Sequence, residues 1–138
     1  MIALDTNVLV RFLVEDDAAQ SAAAAALIEE TLAAGEGLFV SDIVLCETVW
    51  VLTAAYRAKR PAVITILREL LRAKHLAFAA ADLVARALDA FESGRGDFAD
   101  YLIREQARAA GCDEVATFDR ALLGDPGFAA PGGRRTHG

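Results

Sequence analysis

Apolar positions along this chain alternate between short continuous runs and faces with helical spacing. Ile2-Ala3-Leu4 reads as a buried strand ending at Asp5, and residues 8–14 are apolar enough for the helix that follows. Residues 17–34 are alanine-rich, with Leu27, Ile28 and Leu32 on one helical face and Gly35 as the stop. Gly37-Leu38-Phe39-Val40 predicts a second strand, and Ser41 or Asp42 caps a helix running to about Arg57. Pro61 suits the first turn of another helix, whose face is Val63, Ile64, Leu67, Leu70 and Leu71. Leu76-Ala77-Phe78 is a weak strand, residues 82–91 form a helix, and Ser93-Gly94-Arg95-Gly96 is a loop. A helix over 98–110 stopping at Gly111, then a strand over 114–118, complete the pattern. Strands alternating with helices predict an α/β fold around a mostly parallel sheet. In such sheets function gathers at the carboxyl ends of the strands.

Acidic residues stand at those ends or inside apolar segments. Asp5 ends the first strand, Glu47 interrupts the run 43–52, Asp100 heads a helix three residues after Asp97, and Asp119 follows Val115-Ala116-Thr117-Phe118. Each has a plain structural reading. Asp5 or Thr6 serves as an N-cap of a strand-to-helix turn; the alternative, metal reading has Asp5 pointing out of the sheet at its carboxyl end, with Thr6 and Asn7 bonding within the turn to hold it. Glu47, Thr48 and Ala54 form an exposed stripe. Asp97 and Asp100 make a capping box, and Asp119 caps the segment 120–123. The second reading takes the set together. Carboxylates in apolar surroundings are costly unless paired or metal-bound, and neighbouring ones repel. An oxygen-only set selects a hard cation, Mg²⁺ or Mn²⁺, which activates water in phosphoryl chemistry.

The 138 residues suit one domain over 1–130, with a C-terminal tail over 131–138. Apolar content of 55% allows a sizeable core. No apolar run reaches the roughly 18 residues of a membrane span, and Arg11, Glu15, Asp16 and Asp17 interrupt any signal sequence. A cytoplasmic protein with no membrane partner is expected. Cys46 and Cys112 give no disulfide framework, Cys46 reading as a small buried hydrophobe. With only His75 and His137, a histidine zinc site or a histidine-based triad is disfavoured. The net charge of −6 argues against simple electrostatic binding of nucleic acid. Bound cations reverse that locally, and twelve arginines against two lysines favour bidentate phosphate contacts.

Taken in order, Met1-Ile2-Ala3-Leu4-Asp5-Thr6-Asn7, Glu47 in 41–47, Asp97-Phe98-Ala99-Asp100-Tyr101-Leu102-Ile103 and Thr117-Phe118-Asp119-Arg120 resemble the PIN-domain ribonucleases, nearest the VapC-type toxins of toxin–antitoxin pairs. The resemblance covers nearly the whole chain. It implies a three-layer fold with a central parallel sheet flanked by helices, and Mg²⁺- or Mn²⁺-dependent cleavage of RNA by metal-activated water. It implies Asp5, Glu47, Asp100 and Asp119 as the catalytic and metal-binding acids. Asp97 either joins them or caps the helix. Asn7 matches the amide that buttresses the first acid, and Thr117 matches the hydroxyl residue two before the last. A homodimer and an antitoxin that inserts a segment into the acidic cleft are implied as well.

Two other classes fit part of the pattern. A phosphatase of the haloacid dehalogenase type also opens with an Asp after an N-terminal strand. It needs a second Asp where Asn7 stands, and a lysine that only Lys59 or Lys74 can supply. A non-catalytic PIN-like module binding RNA or a protein would share the scaffold, but the intact set of acids argues against it.

Overall fold

In the computed structural model, which describes residues 1–132, every paired strand runs parallel to its neighbour, as the alternation of strands and helices predicts. Contacts gather the chain into two units, Met1–Ala81 and Asp82–Gly138.

The first unit contains β1 (Ile2–Ala3), α1 (Thr6–Leu13), α2 (Ala18–Ala33), β2 (Leu38–Val40), α3 (Asp42–Ala54), α4 (Arg60–Arg72) and β3 (Leu76–Phe78). Its sheet has the order β1-β2-β3, with Ile2 opposite Leu38 and Val40 opposite Phe78. Parallel neighbours require crossovers, and the helix pairs α1–α2 and α3–α4 supply them. Leu38 and Val40 on the central strand are buried together with Leu4, Leu9, Leu45, Leu52, Val63 and Leu67. The predicted face of α4 is buried at Val63, Ile64, Leu67 and Leu70, with Leu71 half-buried.

In this unit two boundaries differ from the sequence reading by two residues or more. Helix α1 begins at Thr6 rather than residue 8, because Asp5 itself is the N-cap. Helix α3 ends at Ala54 rather than near Arg57, and Arg57 takes a left-handed φ of 54°. Past that end, Tyr56 joins a polar network. Arg11 donates to Asp16 (3.0 Å), Tyr56 (2.9 Å) and Gln20 (2.6 Å), while the Tyr56 hydroxyl donates to Asp16 at 2.6 Å. The Tyr56 hydrogen bond and the Arg11 charge hold the Asp16 carboxyl below its ordinary range. Leu52 belongs to the core, whereas Trp50 is 71% exposed.

The second unit holds all but the first residue of α5 (Ala81–Ser93), then α6 (Phe98–Ala109), β4 (Val115–Ala116) and β5 (Phe128–Ala129). β4 pairs with β5, which the sequence reading missed. Phe91 meets Phe98 edge-on, with centroids 6.3 Å apart. Arg104 is buried over the Tyr101 and Phe128 rings at 5.2 and 5.8 Å, and donates to Glu105 (3.1 Å) and to the Pro126 carbonyl (3.0 Å). Together with the Tyr101 hydroxyl, which bonds Asp125, it ties the segment 119–127 to α6.

Among the described residues no helix is long and apolar enough to cross a membrane. Cys46 is half-buried, and burial with the nearby Asp42 charge pushes its thiol up to about 11, while Cys112 is exposed. The tail expected over 131–138 lies outside the described residues from 133 onward.

Candidate active site

The first unit brings Asp5 and Glu47 into relation through Thr6. Asp5 leaves β1 in an extended conformation and accepts the Thr6 N–H at 2.8 Å, which starts α1. The Thr6 side chain is buried and reaches across to α3, where its hydroxyl donates to Glu47 Oε1 at 2.9 Å. Thr6 therefore bonds within its own turn through its N–H, as expected, while its side chain bonds outside it. Asn7 is exposed, and its amide makes no hydrogen bond among the described residues.

Glu47 does not sit in a buried apolar stretch. Val44, Leu45, Thr48, Val49 and Leu52 form the inward face of α3. Ile43, Glu47, Trp50 and Ala54, spaced by four, three and four residues, share the exposed face. Thr48, expected beside Glu47 in water, is fully buried instead.

The second unit carries Asp97, Asp100 and Asp119. Asp97 is the N-cap of α6 and Asp100 lies in its first turn. The Asp100 carboxylate accepts the Asp97 backbone N–H at 2.9 Å, and the Asp100 N–H returns to the Asp97 carbonyl at 3.1 Å. The Asp97 side chain stands in capping-box position, but it has no cap hydrogen bond of ordinary geometry, so the firm arm of the box is the one Asp100 supplies. Gly96 is needed here for close approach, since a Cβ would come 2.3 Å from Leu122 and 3.1 Å from the Asp100 carboxylate. Beyond β4, the Thr117 hydroxyl accepts the Asp119 N–H at 3.0 Å, and Asp119 accepts the Ala121 N–H at 2.9 Å.

Burial raises the Asp100 carboxyl above its ordinary range. The Asp97 N–H opposes that shift, while the negative charges of Asp97 and Asp119 add to it. Among the described residues none of Asp5, Glu47, Asp97, Asp100 or Asp119 pairs with a lysine or arginine. Nor do three or more Asp, Glu, His or Cys side chains among the described residues stand grouped as metal ligands. The donors are nonetheless carboxylates without countercharge, which suit a hard divalent cation. Sequence reasoning singled out the acids but missed Thr6 as the link to Glu47. A buried threonine in a strand-to-helix turn gives no signal of a partner 41 residues away.

A sequence model of the PIN domain matches residues 2–124. The chain belongs to the PIN domain family. The match runs through both units and includes all four acids that the ordered motifs select. Among solved structures, VapC20 of Mycobacterium tuberculosis, described as a sarcin–ricin loop cleaving toxin, is similar at 19% identity. That similarity covers 91% of this PIN-domain chain and 95% of the other, with a TM-score of 0.39. A search of curated proteins found no match.

Proposed function

We propose that this PIN domain is a metal-dependent endoribonuclease, the toxin of a toxin–antitoxin pair, formed as one domain over 1–130. The observation that carries the reading is a set of carboxylates in a PIN-domain chain that have no countercharge among the described residues, each held by a hydrogen bond. Asp5, Glu47, Asp100 and Asp119 would hold Mg²⁺ or Mn²⁺, with Asp97 as a flanking acid. The bound cation supplies an activated water and neutralises charge on the phosphodiester.

The protein's own residues orient the donors. The Thr6 hydroxyl fixes one Glu47 oxygen, and the Asp97 N–H fixes one of Asp100. The Thr117 hydroxyl fixes the Asp119 backbone. Oriented in this way, the carboxylates lose little freedom on binding an ion, which is the benefit of a preorganised site. The reading includes an RNA substrate, a cognate antitoxin protein and a homodimer.

The test is incubation of antitoxin-free protein with total RNA in Mn²⁺, in Mg²⁺ and in EDTA. Cleavage in either metal, none in EDTA, and products bearing 5′-phosphates are expected, because water rather than the ribose 2′-hydroxyl attacks. Products with 2′,3′-cyclic phosphates refute the mechanism.

A further inference from the structure

Phe118 stands between Thr117 and Asp119 with 89% of its surface exposed, the most exposed of the large apolar side chains. Lone exposed apolar residues are ordinary, but two features set this one apart. The first is its mounting. The Thr117 N–H bonds the Ala129 carbonyl at 2.9 Å, the Asp119 N–H bonds the Thr117 hydroxyl at 3.0 Å, and the Ala121 N–H bonds Asp119 at 2.9 Å. The backbone is therefore fixed on both sides of the ring, and holding the ring outward costs little further ordering. The second is its place. Asp119, the next residue, opens the turn in which the Leu122 N–H bonds its carbonyl at 3.1 Å, and Leu122 and the Asp100 carboxylate both flank Gly96, so Phe118 adjoins the acidic residues of the second unit.

An arginine or lysine at this position would pair with the carboxylates and compete with a metal. An uncharged aromatic face does neither, and it offers a surface to the flat, uncharged π-face of a nucleobase. We propose that Phe118 is a stacking platform for an unpaired nucleobase next to the scissile phosphate, making it a substrate-positioning residue. The proposal rests on the ribonuclease reading above. Stacking on an aromatic ring tolerates any base, so Phe118 contributes affinity and requires a single-stranded or flipped-out nucleotide at the cut, without dictating its identity.

The experiment uses the full chain, Mn²⁺ and a labelled single-stranded oligoribonucleotide spanning a site that the protein cuts in total RNA. Phe118→Ala is expected to raise KM by about 5- to 100-fold, the range for loss of one stacked base, with kcat within about threefold. Phe118→Tyr, which keeps the ring, is expected to restore KM. An abasic nucleotide at one position flanking the cut should raise the wild-type KM by a similar factor and add nothing in Phe118→Ala. Unchanged KM in Phe118→Ala, or abasic and alanine effects that simply multiply, overturns the stacking role while leaving the nuclease reading intact. Failure of the wild type to cut RNA in Mn²⁺ overturns both.

Discussion

Replacing Asp100 with Asn tests whether the acidic group is held in tension until a cation binds. The substitution keeps shape and leaves an oxygen to accept the Asp97 N–H, so what it removes is the charge. That charge is disfavoured by partial burial and by Asp97 and Asp119. Both neighbours are exposed, so each repulsion belongs at the low end of surface pair energies, about 0.3–0.5 kcal/mol. Loss of desolvation adds a similar amount. Weakening a charge-assisted hydrogen bond to a neutral one takes back about 0.5 kcal/mol. Asp100→Asn should therefore gain about 0.5 kcal/mol without metal, roughly 2 °C in melting temperature for a chain of this size.

The pH dependence has a definite sign. Because the folded pKa of Asp100 is raised, the folded protein binds that proton more tightly than the unfolded chain. The associated stability is fully present below the unfolded pKa and is lost as pH rises through the folded one. In EDTA the variant should therefore melt above wild type at neutral pH, and the gap should close as pH falls through that window. Mn²⁺ at about 100 times its Kd should stabilise wild type by about 2.7 kcal/mol and the variant far less. Thermal melts in EDTA and in Mn²⁺ across pH 4 to 8 measure all three. A variant that melts below wild type in EDTA and gains equally from Mn²⁺ would show that Asp100 is neither strained nor a ligand.

Thr6→Val should lose about 1 kcal/mol and most RNA cleavage by freeing Glu47, with Thr6→Ser close to wild type in both melting temperature and rate. Asp97→Ala should cost under about 0.5 kcal/mol in denaturant titrations, less than the ~1 kcal/mol usual for an N-cap, because Asp100 supplies the bonded arm of the box. Thr48→Val should raise the melting temperature by the equivalent of about 1 kcal/mol, since the Thr48 hydroxyl is buried without a hydrogen-bond partner among the described residues. A lowered melting temperature would reveal an unseen partner for that hydroxyl.

The α/β class was legible because strands and helices bury different periodicities, and α4 shows it most directly in its i, i+3, i+4 face. β5 was not legible, because Phe128 and Ala129 are too few to alternate and depend on β4 for pairing. The acids were found by position alone. What they touch was harder to read. Glu47 appeared to interrupt a buried run, yet Ile43 and Trp50 are 72% and 71% exposed, so the run mixes a core face with an outward one. A wholly apolar helix sequence does not say which face is covered. A cap on α3 at Ser41 or Asp42 was legible, and Ser41 supplies it, because a cap is a local bond (3.2 Å to the Val44 N–H), whereas the bond from Thr6 to Glu47 is tertiary.

The sequence set capping against metal binding as rival roles for Asp5, Asp100 and Asp119, but in the structure each local bond uses only one carboxylate oxygen. A carboxylate has two oxygens. Asp5 gives one to the Thr6 N–H, Asp100 one to the Asp97 N–H, and Asp119 one to the Ala121 N–H, while Glu47 gives one to the Thr6 hydroxyl. Among the described residues the second oxygen of each accepts no hydrogen bond. The local bond fixes the side-chain rotamer, and a fixed rotamer is what a ligand oxygen needs if binding is not to cost side-chain entropy. At Asp100 the Asp97 N–H also favours the ionised form, which partly offsets the repulsion from Asp97 and Asp119. The same turn chemistry that starts α1 and α6 thus prepares a donor at each place. An Ala substitution would remove the local bond together with the proposed metal donor, and only the Asn variants, which keep the acceptor and lose the charge, separate the two roles.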